Sequence, residues 1–117
     1  VTIAHVGDSR CYVQRPGDGL IYQTEDHTVN VNGRHMLARC FFAGHPEVAL
    51  PDIKSIQLQA GDRILLCSDG LYGAIGRGIL PGKMMDNKPL EKILDEYDKM
   101  CERDGNDNYS AILIELA

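Results

Sequence analysis

Apolar and polar positions alternate, imperfectly, from Val1 to Val6, and this stretch is rich in β-branched residues, the pattern of a strand. "GDSR" turns the chain, and Cys11 to Gln14 reads as a second strand. "RPGDG" supplies a proline and two glycines for a turn, and "LIYQT" returns as a third. These three short strands predict an antiparallel meander. "EDHTVNVNGRH" is polar and glycine-containing and reads as a loop, whereas "MLARCFFAG" is apolar and fits strand or helix. Ile53, Ile56 and Leu58 lead into the turn "QAGD", after which Arg63 to Cys67 returns as a buried strand. Between Gly73 and Asn87 lie four glycines and one proline, so a loop with at most a short helical turn is expected.

The spacing changes after that. Leu90, Ile93, Leu94, Tyr97 and Cys101 fall on one stripe, which predicts a helix from Pro89 to Arg103. Proline suits its first turn and Gly105 its C-terminal end. "RDGNDN" is a loop and "YSAILIEL" a closing strand. Strands followed by one helix and a last strand predict a single α+β domain over residues 1–117, its helix covering one face of an antiparallel sheet.

Composition narrows the partners. The 117 residues carry a net charge of −5, which repels a phosphate backbone and argues against nucleic acid. No apolar run approaches a membrane span and no signal peptide is visible. The cysteines at 11, 40, 67 and 101 lack the close spacing of a zinc site and read as small buried hydrophobes of a reducing compartment such as the cytoplasm. His5, His27, His35 and His45 are scattered without ligand spacing, and His5 reads as a core or sheet-face residue. The chain opens in mid-strand without an initiator methionine, as expected of a fragment, a processed chain or an incomplete record.

Three acids share one setting. Asp8 follows "TIAHVG", Asp69 follows "ILLCS", and Asp107 precedes "YSAILIEL", each at a strand end beside glycine or asparagine. Singly, each reads as a turn residue, like Asp18, Asp62, Asp86 and Asp104. Gathered at one sheet edge, they would instead form an oxygen site for Mg²⁺ or Mn²⁺, because like charges in proximity need a cation.

The order "HVGDSRCYV", "TEDHTV", "LQAGDRILLCSDGLYG", "DNYSAILIEL" resembles the C-terminal half of the catalytic domain of the protein phosphatase 2C family, metal-dependent Ser/Thr protein phosphatases. The resemblance runs over nearly the whole chain and is loosest from 28 to 52, where "HMLARCFFAG" looks like a shortened counterpart of the segment leading to the family's "TRA-G" pattern. It implies a β-sandwich of antiparallel sheets with outer helices, here incomplete, and two Mn²⁺ or Mg²⁺ ions sharing a bridging water. Asp69 and Asp107 would hold one ion together, and Asp8 would match the acid of a weaker third; the "SR" of "GDSR" would be structural. The implied substrate is a phosphorylated Ser/Thr protein.

Three departures qualify that expectation. The family's bridging Asp-Gly, a further acidic pair and the phosphate-binding Arg have no counterpart here, so the chain alone would be catalytically incomplete. The stretch after "DHTV" is short. Gly73 stands where the family commonly has an acid four residues after Asp69. A pseudophosphatase or interaction module with the same fold is therefore the alternative. Half a sandwich would also expose an apolar sheet face, so a homodimer or the missing N-terminal half is expected to cover it.

Overall fold

The structure, a computed structural model, describes every residue except Phe42, Arg77 and Asn106. The readings of "HMLARCFFAG", of the 73–87 loop and of "RDGNDN" lie outside the described residues at those three positions.

The described residues form eight strands and three α-helices: β1 (Thr2–His5), β2 (Arg10–Arg15), β3 (Gly19–Gln23), β4 (Thr28–Val31), β5 (Arg34–Leu37), β6 (Asp52–Ser55), β7 (Arg63–Cys67), α1 (Asp69–Ala74), α2 (Ile79–Lys83), α3 (Leu90–Asp104) and β8 (Ala111–Glu115). A 3₁₀ turn spans Pro46–Val48. The centre is an antiparallel sheet in the order β3-β2-β7-β8, and the α+β class holds. α3 closes one face of this sheet, where Ile93, Tyr97 and Cys101 meet Tyr12, Leu65 and Cys67. Pro89 caps the helix in an extended conformation and Gly105 ends it, close to the predicted limits. Among the described residues no helix is long and apolar enough to cross a membrane.

Three expectations are corrected. The meander does not form, because β1 leaves the central sheet and pairs with β6 in a separate two-stranded ribbon. Gly7, at φ 110°, and the residues after it swing the chain from one layer to the other. The stretch 25–35 is not merely a loop: β4 and β5 form a hairpin around Asn32-Gly33, both at positive φ. That pair is the strongest short hairpin signal, and Thr28, Val29 and Val31 flank it with strand-forming side chains. Asp69 to Ala74, expected as turn and loop, is a short helix. Its buried Leu71, with Ile75 just beyond, fills the space between α3 and β7, and tertiary burial overrides the two glycines.

The second layer is partial. Cys11, Val13 and Ile64 point away from α3 and are covered by Ile3, Ile21, Ile56 and Leu58. Farther along the same face, Leu66, Ile112 and Ile114 are exposed, and a cleft of about 490 Å³ opens beside Ile3, His5, Phe41 and Leu66.

Candidate metal centre

Register brings the first two acids together. In the central sheet Arg10 faces Cys67 and Cys67 faces Ala111. Asp8 lies two residues before Arg10 and Asp69 two after Cys67, so both leave adjacent antiparallel strands at the same end. Burial and the neighbouring Asp69 raise the Asp8 carboxyl above its usual range; its own backbone partly offsets this, Asp26 raises it further and His5 lowers it. A carboxylate desolvated beside a second carboxylate is stabilised by a cation with oxygen preference. Carboxylate oxygens are the donor type that Mg²⁺ and Mn²⁺ take.

Asp107 reaches the same sheet end from the loop before β8. Ser68 N–H bonds to the Ser110 carbonyl, and Ser110 N–H bonds to Ser68 Oγ at 3.0 Å, prolonging the β7–β8 ladder past its last pair. Gly70 fixes the approach: a Cβ there would lie 2.0 Å from the Asn108 carbonyl oxygen. Only hydrogen at that position lets the "DN" loop pass against the "SDG" turn. Asp107 itself is exposed and accepts the Asn108 N–H at 2.8 Å. The three acids thus share one end of the sheet, but do not form a group whose donor atoms all lie within 4.8 Å of one another.

Behind Asp8 lies a set of contacts that spacing did not reveal. The Tyr72 hydroxyl donates to the Asp8 carbonyl at 2.7 Å. The Arg10 guanidinium stacks 3.6 Å from the Tyr72 ring centroid. Arg10 also grips Asp26 with two bonds, of 2.9 and 2.7 Å, and donates to Tyr12 Oη at 3.0 Å. Its bonds to Asp26 drive the Arg10 pKa upward, so the charge is permanent. Burial drives the Tyr72 hydroxyl upward as well, which keeps it a donor. The arginine of "GDSR" is engaged structurally.

The histidines are less scattered than their spacing suggests. His5, His27 and Asp52 place one ligand-type atom each within 4.8 Å, the one such trio among the described residues. The His27 Nδ1 accepts the Gly7 N–H at 3.1 Å, so the ring proton sits on Nε2 and points to Asp52 Oδ2 at 2.7 Å. A cation bound at Nε2 would have to displace that proton and the Gly7 bond together, so the trio as bonded is a structural tie between the "DH" loop and β6. No spacing could have revealed it, because β1–β6 pairing sets Asp52 opposite His5 and the His27 N–H bond to the Gly7 carbonyl brings the second ring alongside.

Asp62, a turn residue by sequence, is buried and paired with Arg15 through bonds of 3.0 and 2.8 Å. It also accepts the Gln59 N–H and closes the "QAGD" turn.

No protein-family model matches the chain. A Ser/Thr phosphatase, stp, of Listeria innocua is 29% identical over 133 residues, spanning 98% of this chain and 51% of the relative. The Ser/Thr phosphatase structure of S. agalactiae superposes with a TM-score of 0.79 at 22% identity, over 99% of this chain and 54% of that one. The catalytic domain of the Ser/Thr phosphatase PstP, solved with two manganese ions, gives 0.67 at 21% identity, over 96% and 51%.

This is the phosphatase 2C fold over about half its length. The chain spans about half the length of the curated relative it matches. The sheet end with Asp8, Asp69 and the Asp107 loop is where "GDSR", "SDG" and "DN" lie, and the face beside Leu66 and Ile112 is left open by the described residues.

Proposed function

We propose that the chain is the C-terminal half of a metal-dependent phosphoprotein Ser/Thr phosphatase domain. In it Asp69 and Asp107 would hold one Mn²⁺ or Mg²⁺, and Asp8 would serve a weaker third ion. The observation that supports this most is the register that sends Asp8 and Asp69 off one end of β2 and β7, with Gly70 admitting the Asp107 loop beside them. When bound, the paired ions supply an activated water and neutralise phosphate oxygens. The chain's own part is to present carboxylate oxygens from strand ends, anchored by the ladder behind them. The bridging Asp-Gly, a further acidic pair and the phosphate-binding Arg come from an N-terminal half that packs on the open face, so this chain alone hydrolyses little. The setting is cytoplasmic and the role is in signalling.

A second reading, an inactive interaction module, is favoured by Gly73, which leaves open space where the family commonly places an acid. Hydrolysis of a phosphopeptide by the chain joined to its N-terminal half separates the two. The enzyme reading expects Mn²⁺-dependent turnover that chelation abolishes and Asp69→Asn lowers by roughly a hundredfold. Turnover absent from the joined protein, together with no Mn²⁺ heat by calorimetry, would leave the module.

A further inference from the structure

We infer that Tyr72 is a positioning residue for the Asp8–Asp69 pair, and that Asp26 acts on the same pair from a distance through Arg10 and Tyr72. This rests on the reading of these acids as cation ligands.

Asp8 sits in the short link between Gly7, at φ 110°, and β2. Its carboxyl is engaged by its own backbone N–H, a local bond that fixes no distance to Asp69. Its backbone, however, is tied at one point outside the link's own strand: the Tyr72 hydroxyl, donating to the Asp8 carbonyl at 2.7 Å. Tyr72 belongs to α1, the helix that Asp69 opens. One side chain therefore bridges the two acids' backbones, three residues after Asp69 and directly onto Asp8.

The tyrosine is itself held. Arg10 covers its ring at 3.6 Å, and the guanidinium cannot swing away while Asp26 receives two of its N–H groups and Tyr12 a third. A planar fork bonded at both ends is rigid, and an ammonium in its place would make neither the double bond nor the stack. Asp26 in turn is fixed next to His27, whose backbone N–H bonds to the Gly7 carbonyl at 2.9 Å. The chain of contacts thus closes on itself around Asp8. It runs from the "DH" loop through "GDSR" to "SDGLYG" and back to Gly7. The aromatic at position 72 and the acid at position 26 set the separation of the carboxylates at 8 and 69.

Mn²⁺ binding by the chain, followed through the resonance of free Mn²⁺, tests this. Tyr72→Phe keeps the ring and the stack but removes the hydroxyl; it is expected to weaken Mn²⁺ binding by roughly three- to tenfold while leaving the circular dichroism and the urea midpoint near wild type. Arg10→Lys is expected to weaken binding similarly, and Asp69→Asn to weaken it much more. Amide exchange in the metal-free protein gives an independent readout: Tyr72→Phe should speed exchange at Asp8 and Ser9 and leave α3 unchanged. Wild-type Mn²⁺ affinity and wild-type exchange in Tyr72→Phe, beside weak binding in Asp69→Asn, would overturn this role alone. No binding by the unsubstituted chain, or unchanged binding in Asp69→Asn, would overturn the cation reading and this role with it.

Discussion

The two faces of the central sheet are made by alternate residues of the same strands, yet they have opposite fates. On one face Leu65 is fully buried and Leu113 packs beside it under α1 and α3. On the other, their neighbours Leu66 and Ile112, also paired with each other, are 39% and 59% exposed. Residue type does not explain the difference, since all four are aliphatic. What differs is whether this chain brings its own cover. The helix face is complete within 117 residues, and the opposite face is complete only under β1 and β6. Half a sandwich is stable where its helices pack and open where its second sheet would continue.

The largest expected contrast lies within that pair. Leu65→Ala removes a fully buried side chain and should cost about 3 kcal/mol of stability, read as a fall in the urea midpoint. Leu66→Asp with Ile112→Asp should change stability by under about 1 kcal/mol while lowering the fluorescence of a dye that binds exposed apolar surface. If the double variant unfolds instead, the open face is packed in solution and the contrast fails.

The next test moves to the junction of faces and site. Gly70→Ala should destabilise by roughly 1–3 kcal/mol, because a Cβ 2.0 Å from the Asn108 oxygen forces the "DN" backbone aside. Its Mn²⁺ affinity should fall together with its stability.

Acid should weaken ion pairs at the polar margin of the fold. The Arg15 bonds hold the Asp62 carboxyl below its usual value, and Lys88, then Lys83, hold Glu96 at about 2. Both are lowered in the folded state, so each contributes fully above its unfolded pKa, near 4, and loses that contribution as pH falls through its folded value. A series of urea midpoints from pH 6 down to pH 2 should decline below about pH 4, and the decline should be shallower in Asp62→Asn. An unchanged slope in that variant would remove Asp62 from the account.

The smallest effect is expected at Gly73. Three residues from Gly70 in the same helix, it would place a Cβ in open space. Gly73→Ala should therefore stabilise by about 0.5 kcal/mol through helix propensity. Two glycines in one turn of α1 would then respond with opposite signs, which separates a glycine kept for close approach from one that is merely tolerated.

Legibility followed the range of the forces. α3 and the strands at 10–15, 19–23, 63–67 and 111–115 were readable because their periodicity reports one buried stripe or face. The β4–β5 hairpin is equally local, carried by Asn32-Gly33, but its strands are barely buried and so show no clean alternation of apolar and polar positions. α1 was unreadable: two glycines in six residues argue against a helix, and only Leu71 and Ile75 sinking between α3 and β7 reverse that. β1 looked like the first strand of a meander because a strand's own residues do not say which edge it will join.

By itself, the sequence determined the α+β class, the one long helix, and the three motifs that each set an acid at a strand end. Tertiary structure decided that Asp8 and Asp69 leave neighbouring strands at one end, and that Gly70 admits the Asp107 loop. It also decided that Tyr72, Arg10 and Asp26 form one chain of contacts behind Asp8. Motifs are set by local turn chemistry and can be read along the chain. Convergence depends on register and on backbone approach within an ångström, and those exist only when the strands have paired.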